Sequence, residues 1–326
     1  MMVRKTFPIE LLRPFWLPHL HRIRGPQIHG VQAWLANGLY WFNSNPTKGE
    51  FRLYVRDEKE IAGAFAADIA RTATACFESI YGLRKTPKLP KSTAWVLVRL
   101  YYGAYFAAHT IIRILGRSCS YLDKGHLRIL RENAEMACCS WTGNTSQGLF
   151  ALQYTPASKE LSCSRLRNAH GDLWKTVYSC FSDLSEKVLQ QPGLSKEKET
   201  VATFLMAVND CLDNCKSRSS GTWLSEFRNR LNYRQEFGAW FPYRDCQVKY
   251  PDIERYIRRW NADLSTLRFS QGRAPAVERF AESCTAIIAL CHAMLHDLRR
   301  ISRVETSFDR YAHTAFLRRT GMAPKQ

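Results

Sequence analysis

Arg228-Asn229-Arg230-Leu231-Asn232-Tyr233 puts a guanidinium, a carboxamide and a phenol into one short stretch. A guanidinium is a planar fork that pairs phosphate oxygens and stays charged at any working pH. A phenol can donate a hydrogen bond, but with an ordinary pKa of ~10 it is a poor base near neutrality. A second stretch, Arg165-Leu166-Arg167-Asn168-Ala169-His170, repeats the step from arginine to ring, and here the ring is an imidazole, whose pKa of ~6.5 suits proton transfer. Groups of these types at this spacing can form a phosphate-handling site, with the arginine on phosphate oxygens and the ring as a proton donor or acceptor. Arg228, Asn229, Tyr233, Arg165 and His170 are its candidate residues. Either stretch can serve alone. In a composite, Arg228 and Asn229 hold the phosphate while His170 moves the proton.

Spacing constrains the first stretch. On a regular helix Arg228 and Tyr233 point ~140° apart at 3.6 residues per turn, whereas Asn229 and Tyr233, or Arg228 and Asn232, share a face. A joint Arg228–Tyr233 site therefore needs a bent helix end or a second subunit. Around it, Arg230 and Arg234, and further on Arg255, Arg258 and Arg259 beside Tyr256 and Trp260, interleave cations with rings. Such surfaces hold single strands by phosphate contact and base stacking; the bland alternative is a helix with its rings buried and its arginines in water. His292 and His296 stand four apart with Asp297 adjacent, a spacing that can place two imidazoles beside one metal ion. Because no glutamate follows His292, the HExxH logic fails, and neither a metal nor an organic cofactor is assigned. No GxGxxG, GxxxxGK[ST] or GxSxG occurs, so nucleotide-driven, hydride and serine-hydrolase chemistry lack their usual parts.

Several features bound the elements that must position these groups. Forty-seven Lys+Arg against 29 Asp+Glu give the 326-residue chain a formal net charge of +18. A field of that sign attracts polyanions, so nucleic acid, with RNA favoured, is the first partner and an acidic protein the second. Eleven scattered cysteines with no CxxC pair argue against a disulfide framework or a zinc ribbon and for a reducing cytoplasm. Pro8, Glu10 and Arg13 interrupt any apolar leader, and Arg99, His109 and Arg113 break the run Ala94–Leu115, so no membrane segment is expected.

Residues 1–56, rich in Pro, Gly and basic side chains, read as an irregular basic N-terminal arm. It carries a short helix near Ile28–Trp41 and a short strand at Phe51–Val55. From Asp57 the apolar spacing turns helical: Asp57–Leu83, a segment from Ser92 to Leu115 stopped by Gly116, then Lys124–Ala137, Leu166–Gln190, Ser195–Lys216, Gly221–Phe237, Asp252–Leu267, Ala276–Val304 and Phe308–Arg319. Ser140–Pro156 reads as a loop, and almost no strand is expected beyond residue 56. The expected class is all-α, an antiparallel helical bundle over 57–326 with a core at about 92–240 and a C-terminal extension at 252–320.

The helix containing Tyr101-Tyr102-Gly103-Ala104-Tyr105-Phe106-Ala107-Ala108-His109, followed by an Arg-polar-x-x-x-ring stretch, resembles the HEPN superfamily of helical nucleases, toxins and accessory proteins. The resemblance implies a HEPN-like core. It also implies a metal-independent endoribonuclease of a bacterial toxin or phage-defence system, acting at a dimer interface or within a larger complex. Arg228 then matches the family's arginine, Asn229 its polar residue and Tyr233 the position of its histidine. The tyrosine is a departure and favours a second reading, a non-catalytic subunit that binds nucleic acid or a partner. A third reading is a metal-dependent helical phosphohydrolase built on His292, His296 and Asp297.

Overall fold

The computed structural model describes residues 6–85, 92–142, 145–193, 195–213, 220–241, 249–270, 274–302, 308 and 313–322. Within these, ten helices carry most of the chain: α1 (Val31–Ala36), α2 (Glu58–Lys85), α3 (Thr93–Ile114), α4 (Lys124–Met136), α5 (Ala169–Gln190), α6 (Ser195–Leu212), α7 (Trp223–Tyr233), α8 (Tyr250–Ile257), α9 (Ala276–Ile301) and α10 (His313–Arg319). Five strands accompany them, β1 (Tyr40–Phe42), β2 (Glu50–Val55), β3 (Arg117–Leu122), β4 (Gly148–Thr155) and β5 (Glu160–Arg165). They form one antiparallel sheet in the order β1-β2-β5-β4-β3.

The sheet overturns the all-α expectation: this is a mixed fold of helices and a five-stranded antiparallel sheet, not a purely helical bundle. The reason lies in its strands. β3 reads RSCSYL, and Ser118, Cys119 and Ser120 are all buried, so the polar–apolar alternation that marks a strand is missing. β4 begins inside the polar run taken for a loop, yet Phe150, Leu152 and Tyr154 point inward at period two. β5 presents only Leu161 and Cys163 to the core. Register holds these short strands together: Leu53 lies opposite Leu161, which lies opposite Tyr154, and Phe51 opposite Cys163, which lies opposite Leu152. The β4–β5 turn closes at Lys159, whose φ of +55° is left-handed.

The described part of the basic N-terminal segment is woven into the rest. Besides β1 and β2, it sends Arg13 onto Asp297 of α9 at 2.6 and 2.7 Å. The backbone N–H of Leu17 donates to the carbonyl of Ile114 at 2.7 Å.

α3 is the axis of the helical layer. It packs against α2 and α9 along much of its length and against α5 and α7. Gly103 makes this closeness workable, because a Cβ there would sit 3.3 Å from Ile288 Cδ1 and 3.6 Å from Ile80 Cδ1. Gly116 ends the helix with φ +73°, a left-handed stop that costs glycine little. Gly221 launches α7. Its φ is +81°, and a Cβ would come within 2.7 Å of the Cβ of Tyr178, so only glycine fits the turn that aims the Arg228 helix. None of the described helices is long and apolar enough to cross a membrane.

Candidate functional site

Three elements bring their chemistry to one surface. The N-terminus of α5 supplies His170, α7 supplies Arg228, Asn229 and Tyr233, and α3 supplies the tyrosines between them. Asn168 caps α5, its Oδ1 accepting from the backbone N–H groups of His170 at 3.0 Å and Gly171 at 3.1 Å. Asp172 reaches back to accept from the N–H groups of Arg167 at 2.7 Å and Asn168 at 2.8 Å. This reciprocal cap fixes His170 in the first turn.

His170 Nδ1 and the Tyr101 hydroxyl are 2.9 Å apart. The indole N–H of Trp174, one turn further along α5, donates to the same Tyr101 oxygen at 3.0 Å. Tyr101 and Trp174 are fully buried, so the ring orientation of His170 is built into the core. Burial, and behind it the charge of Arg228, pushes the His170 pKa below its ordinary value. The imidazole is therefore neutral at pH 7.

The ring of Tyr105 bridges His170, at 4.6 Å between centroids, and His109, at 4.7 Å. His109 Nδ1 lies 2.8 Å from Arg113 Nη1. A guanidinium has only donors, so Nδ1 accepts and Nε2 carries the proton. Burial, then the charges of Arg113 and His170, hold the His109 pKa far below the usual range. Burial also raises the Tyr105 phenol to about 12.

Arg228 Nη2 donates to Tyr102 Oη at 2.7 Å, and Nη1 donates to Asn229 Oδ1 at 2.9 Å and Tyr233 Oη at 3.3 Å. Its guanidinium also lies over the rings of Tyr102 and Tyr233, at 5.7 and 5.4 Å. Arg228 and Tyr233 thus meet within one chain despite their angular separation, because α7 ends at Tyr233 and the arginine folds along its last turn. Among the described residues no carboxylate pairs with Arg228. Its partners are neutral oxygens, its Nε is buried without a partner, and its positive charge is left uncompensated. Tyr233, at 74% exposure, opens this corner to solvent, and Phe241 (58%) and Trp95 (54%) are other exposed rings. Trp95 meets Trp240 edge-on at 5.2 Å, and Trp240 is anchored by its N–H on the Leu231 carbonyl of α7.

The other sequence candidates have different surroundings. Arg165 lies on β5, where its guanidinium donates to the carbonyls of Ser146 and Gln147 and lies over Phe150. Arg230 pairs with Glu236 at 2.7 Å, Arg234 lies 3.8 Å from the same carboxylate, Arg255 pairs with Glu278 and Arg258 with Glu254 at 2.9 Å. Arg259 donates to the carbonyl of Thr266. Asp297 accepts from Arg13 and Arg300, while His292 packs edge-on against Phe77 and Trp260. Among the described residues no group of three or more His, Cys, Asp or Glu is placed to hold a metal ion. Tyr243 and Arg244, a ring and a cation just upstream in sequence of the Arg255 stretch, fall outside the described residues.

Sequence reasoning passed over Tyr101, Tyr102, Tyr105 and Trp174 as site residues. Their signal was present in the spacing: Tyr101, Tyr105 and His109 recur every four residues along α3, a stripe of polar-tipped rings inside an otherwise apolar helix. Tyr101→Phe is expected to cost about 1–3 kcal/mol in urea unfolding, because the buried Trp174 N–H loses its acceptor. A change within a few tenths would show that this bond contributes nothing net.

No protein-family model, no curated protein and no solved structure matches the chain.

Proposed function

We propose that the chain acts on RNA at the Arg228–His170 surface, as an endoribonuclease that needs no metal. One observation carries this reading. Among the described residues Arg228 is held by neutral oxygens, and it shares the Tyr102 ring, 6.2 Å from the His170 ring, with an imidazole kept neutral by burial. It supports the composite reading, in which Arg228 takes the phosphate and His170 the proton. The base form is the tautomer in which His170 Nδ1–H donates to Tyr101 Oη, leaving Nε2 to take the proton of a 2′-hydroxyl. Arg228 stabilises the charge that builds on the phosphorane oxygens, with Asn229 fixing the guanidinium. Tyr233 Oη is the exposed donor for the leaving oxygen. The surface is open, as a polymer substrate requires, and the net charge of +18 draws RNA towards it. The HEPN resemblance, with its dimeric assembly and its toxin or defence setting in the cytoplasm, belongs to the same proposal.

A second reading, RNA binding without cleavage, is favoured by Tyr233 itself, a phenol at the position where the resembled motif carries a histidine. One experiment separates the two: cleavage and binding of a labelled RNA by the full chain and by Arg228→Gln, with and without EDTA. The nuclease reading expects cleavage that EDTA leaves unchanged and that falls about 10- to 100-fold in Arg228→Gln, the loss of a charge-assisted contact. Salt-sensitive binding without cleavage supports the second reading. Cleavage abolished by EDTA overturns the metal-free mechanism.

A further inference from the structure

A cavity of about 900 Å³ is lined by none of the residues assigned above. It lies between α6, the tight turn at Leu264–Thr266 with the segment that follows it, and the first half of α9; Trp223, the first residue of α7, forms one wall. Its volume falls within the range of roughly 300–1,000 Å³ typical of small-molecule sites.

Three kinds of group line it. Phe7, Phe204 and Phe269 form a run of rings with centroids 5.2 and 5.9 Å apart, each inclined to the next by 67° and 59°, an apolar wall of ring edges and faces. Arg279 lies over the Trp223 ring at 5.5 Å, and its Nε is buried without a hydrogen-bond partner. A buried donor without an acceptor is a group waiting for one. Glu282 spends one carboxylate oxygen on the backbone N–H and hydroxyl of Ser270, at 3.1 and 2.7 Å. Its other oxygen and the carboxylate of Asp210 remain as acceptors on the lining. A bare polyanion does not match this mixture, because the lining sets Glu199, Asp210, Asp213 and Glu282 against Lys196, Arg268 and Arg279. The lining calls for one anionic group for Arg279, hydroxyl or amine donors for the carboxylates and a planar ring for the apolar wall.

We infer that this cavity binds a nucleotide. The phosphate meets Arg279, the sugar hydroxyls donate to Glu282 and Asp210, and the base packs on the partly buried Phe269 beside Phe204. The inference stands apart from the nuclease proposal, since it uses none of its residues. The same chemistry has two sources, a free mononucleotide or one nucleotide of an RNA strand.

The test is calorimetric titration of the full chain with AMP, GMP, CMP and UMP, and with adenosine and inorganic phosphate as partial probes. At least one mononucleotide is expected to bind saturably, with Kd of about 10–100 µM for a ligand of this size, and adenosine and phosphate at least tenfold more weakly. Arg279→Gln and Phe269→Ala are each expected to weaken binding at least tenfold, and His170→Ala to leave it unchanged. Phe269 is only partly buried, so that variant keeps the test meaningful if Arg279→Gln does not fold. Displacement of the mononucleotide by an RNA decamer assigns the site to a strand; retention in its presence assigns it to free nucleotide. No saturable binding at 1 mM of any of the four, or binding that survives both cavity variants, or binding lost in His170→Ala, overturns the inference.

Discussion

His170→Ala is expected to lower RNA cleavage by about 10²- to 10⁴-fold, the usual contribution of a positioned general base. The measurement is kcat/KM on a labelled RNA across pH 4.5–8. Its sign follows from the surroundings of the ring. Burial and the Arg228 charge hold the His170 pKa below its ordinary value. The base form therefore persists as pH falls through ~6.5, and the acid limb of the profile lies below the position an unperturbed imidazole would give. Replacing Arg228 by Gln removes a positive charge that opposes protonation, so the pKa rises and the acid limb moves to higher pH. A structural role for His170 predicts no such displacement. Cleavage undiminished in His170→Ala, or a limb that stays put in Arg228→Gln, removes His170 from the chemistry.

Phe280→Ala is expected to cost about 3–5 kcal/mol, the range for deleting a buried aromatic side chain. Phe280 is fully buried. Its ring stacks on Phe227 of α7 at 4.1 Å with an interplanar angle of 19°, lies parallel to Tyr101 of α3 at 6.3 Å and meets Trp223 edge-on at 6.3 Å. One ring on α9 thus supports both the helix that carries Arg228 and the tyrosine that orients His170. Collapse into the space left behind would move two walls of the site, so cleavage should fall along with stability. Phe280→Leu retains more of the volume and is expected to cost less. Urea midpoints, with slopes checked for constancy, measure both; a loss under about 1 kcal/mol for the alanine variant would show that the stack is dispensable.

The helices were legible because their apolar residues repeat cleanly. α2, α4 and α9 lie within a few residues of their expected spans, and α3 ends where Gly116 demanded. α8 is shorter than its pattern. Ile257 ends it, and Asp263 binds the backbone N–H of Ser265 at 2.8 Å and that of Phe7 at 3.3 Å. A side-chain carboxylate here competes with helix continuation for backbone donors, which apolar spacing does not register. β3 and β5 stayed hidden because small serines and cysteines fill positions where valine or isoleucine would announce a strand.

The site was legible in types and not in geometry. Arg228 and His170 could each be named from local spacing, and their composite could be entertained. Their convergence, however, depends on α3, α5 and α7 packing against one another, a tertiary fact. The same holds for the arginines: Arg230, Arg255 and Arg258 looked as available as Arg228 until Glu236, Glu278 and Glu254 were found on them. Local sequence does not reveal which cation lacks a carboxylate when the carboxylate comes from another element, as Glu278 does for Arg255.

The pairing of β2 with β5 sets a schedule for biosynthesis. Leu53 must wait for Leu161, and roughly a hundred residues of chain lie between them. At ~5–20 residues per second of translation, that is about 5–20 s during which β2 has emerged without its inner neighbour. The α2–α3 pair, local in sequence and joined along much of its length, can assemble in that interval; the sheet cannot. For those seconds the nascent chain carries Phe51, Leu53 and Val55 on an uncovered strand edge, the kind of segment that holding chaperones recognise and that self-associates when they are scarce.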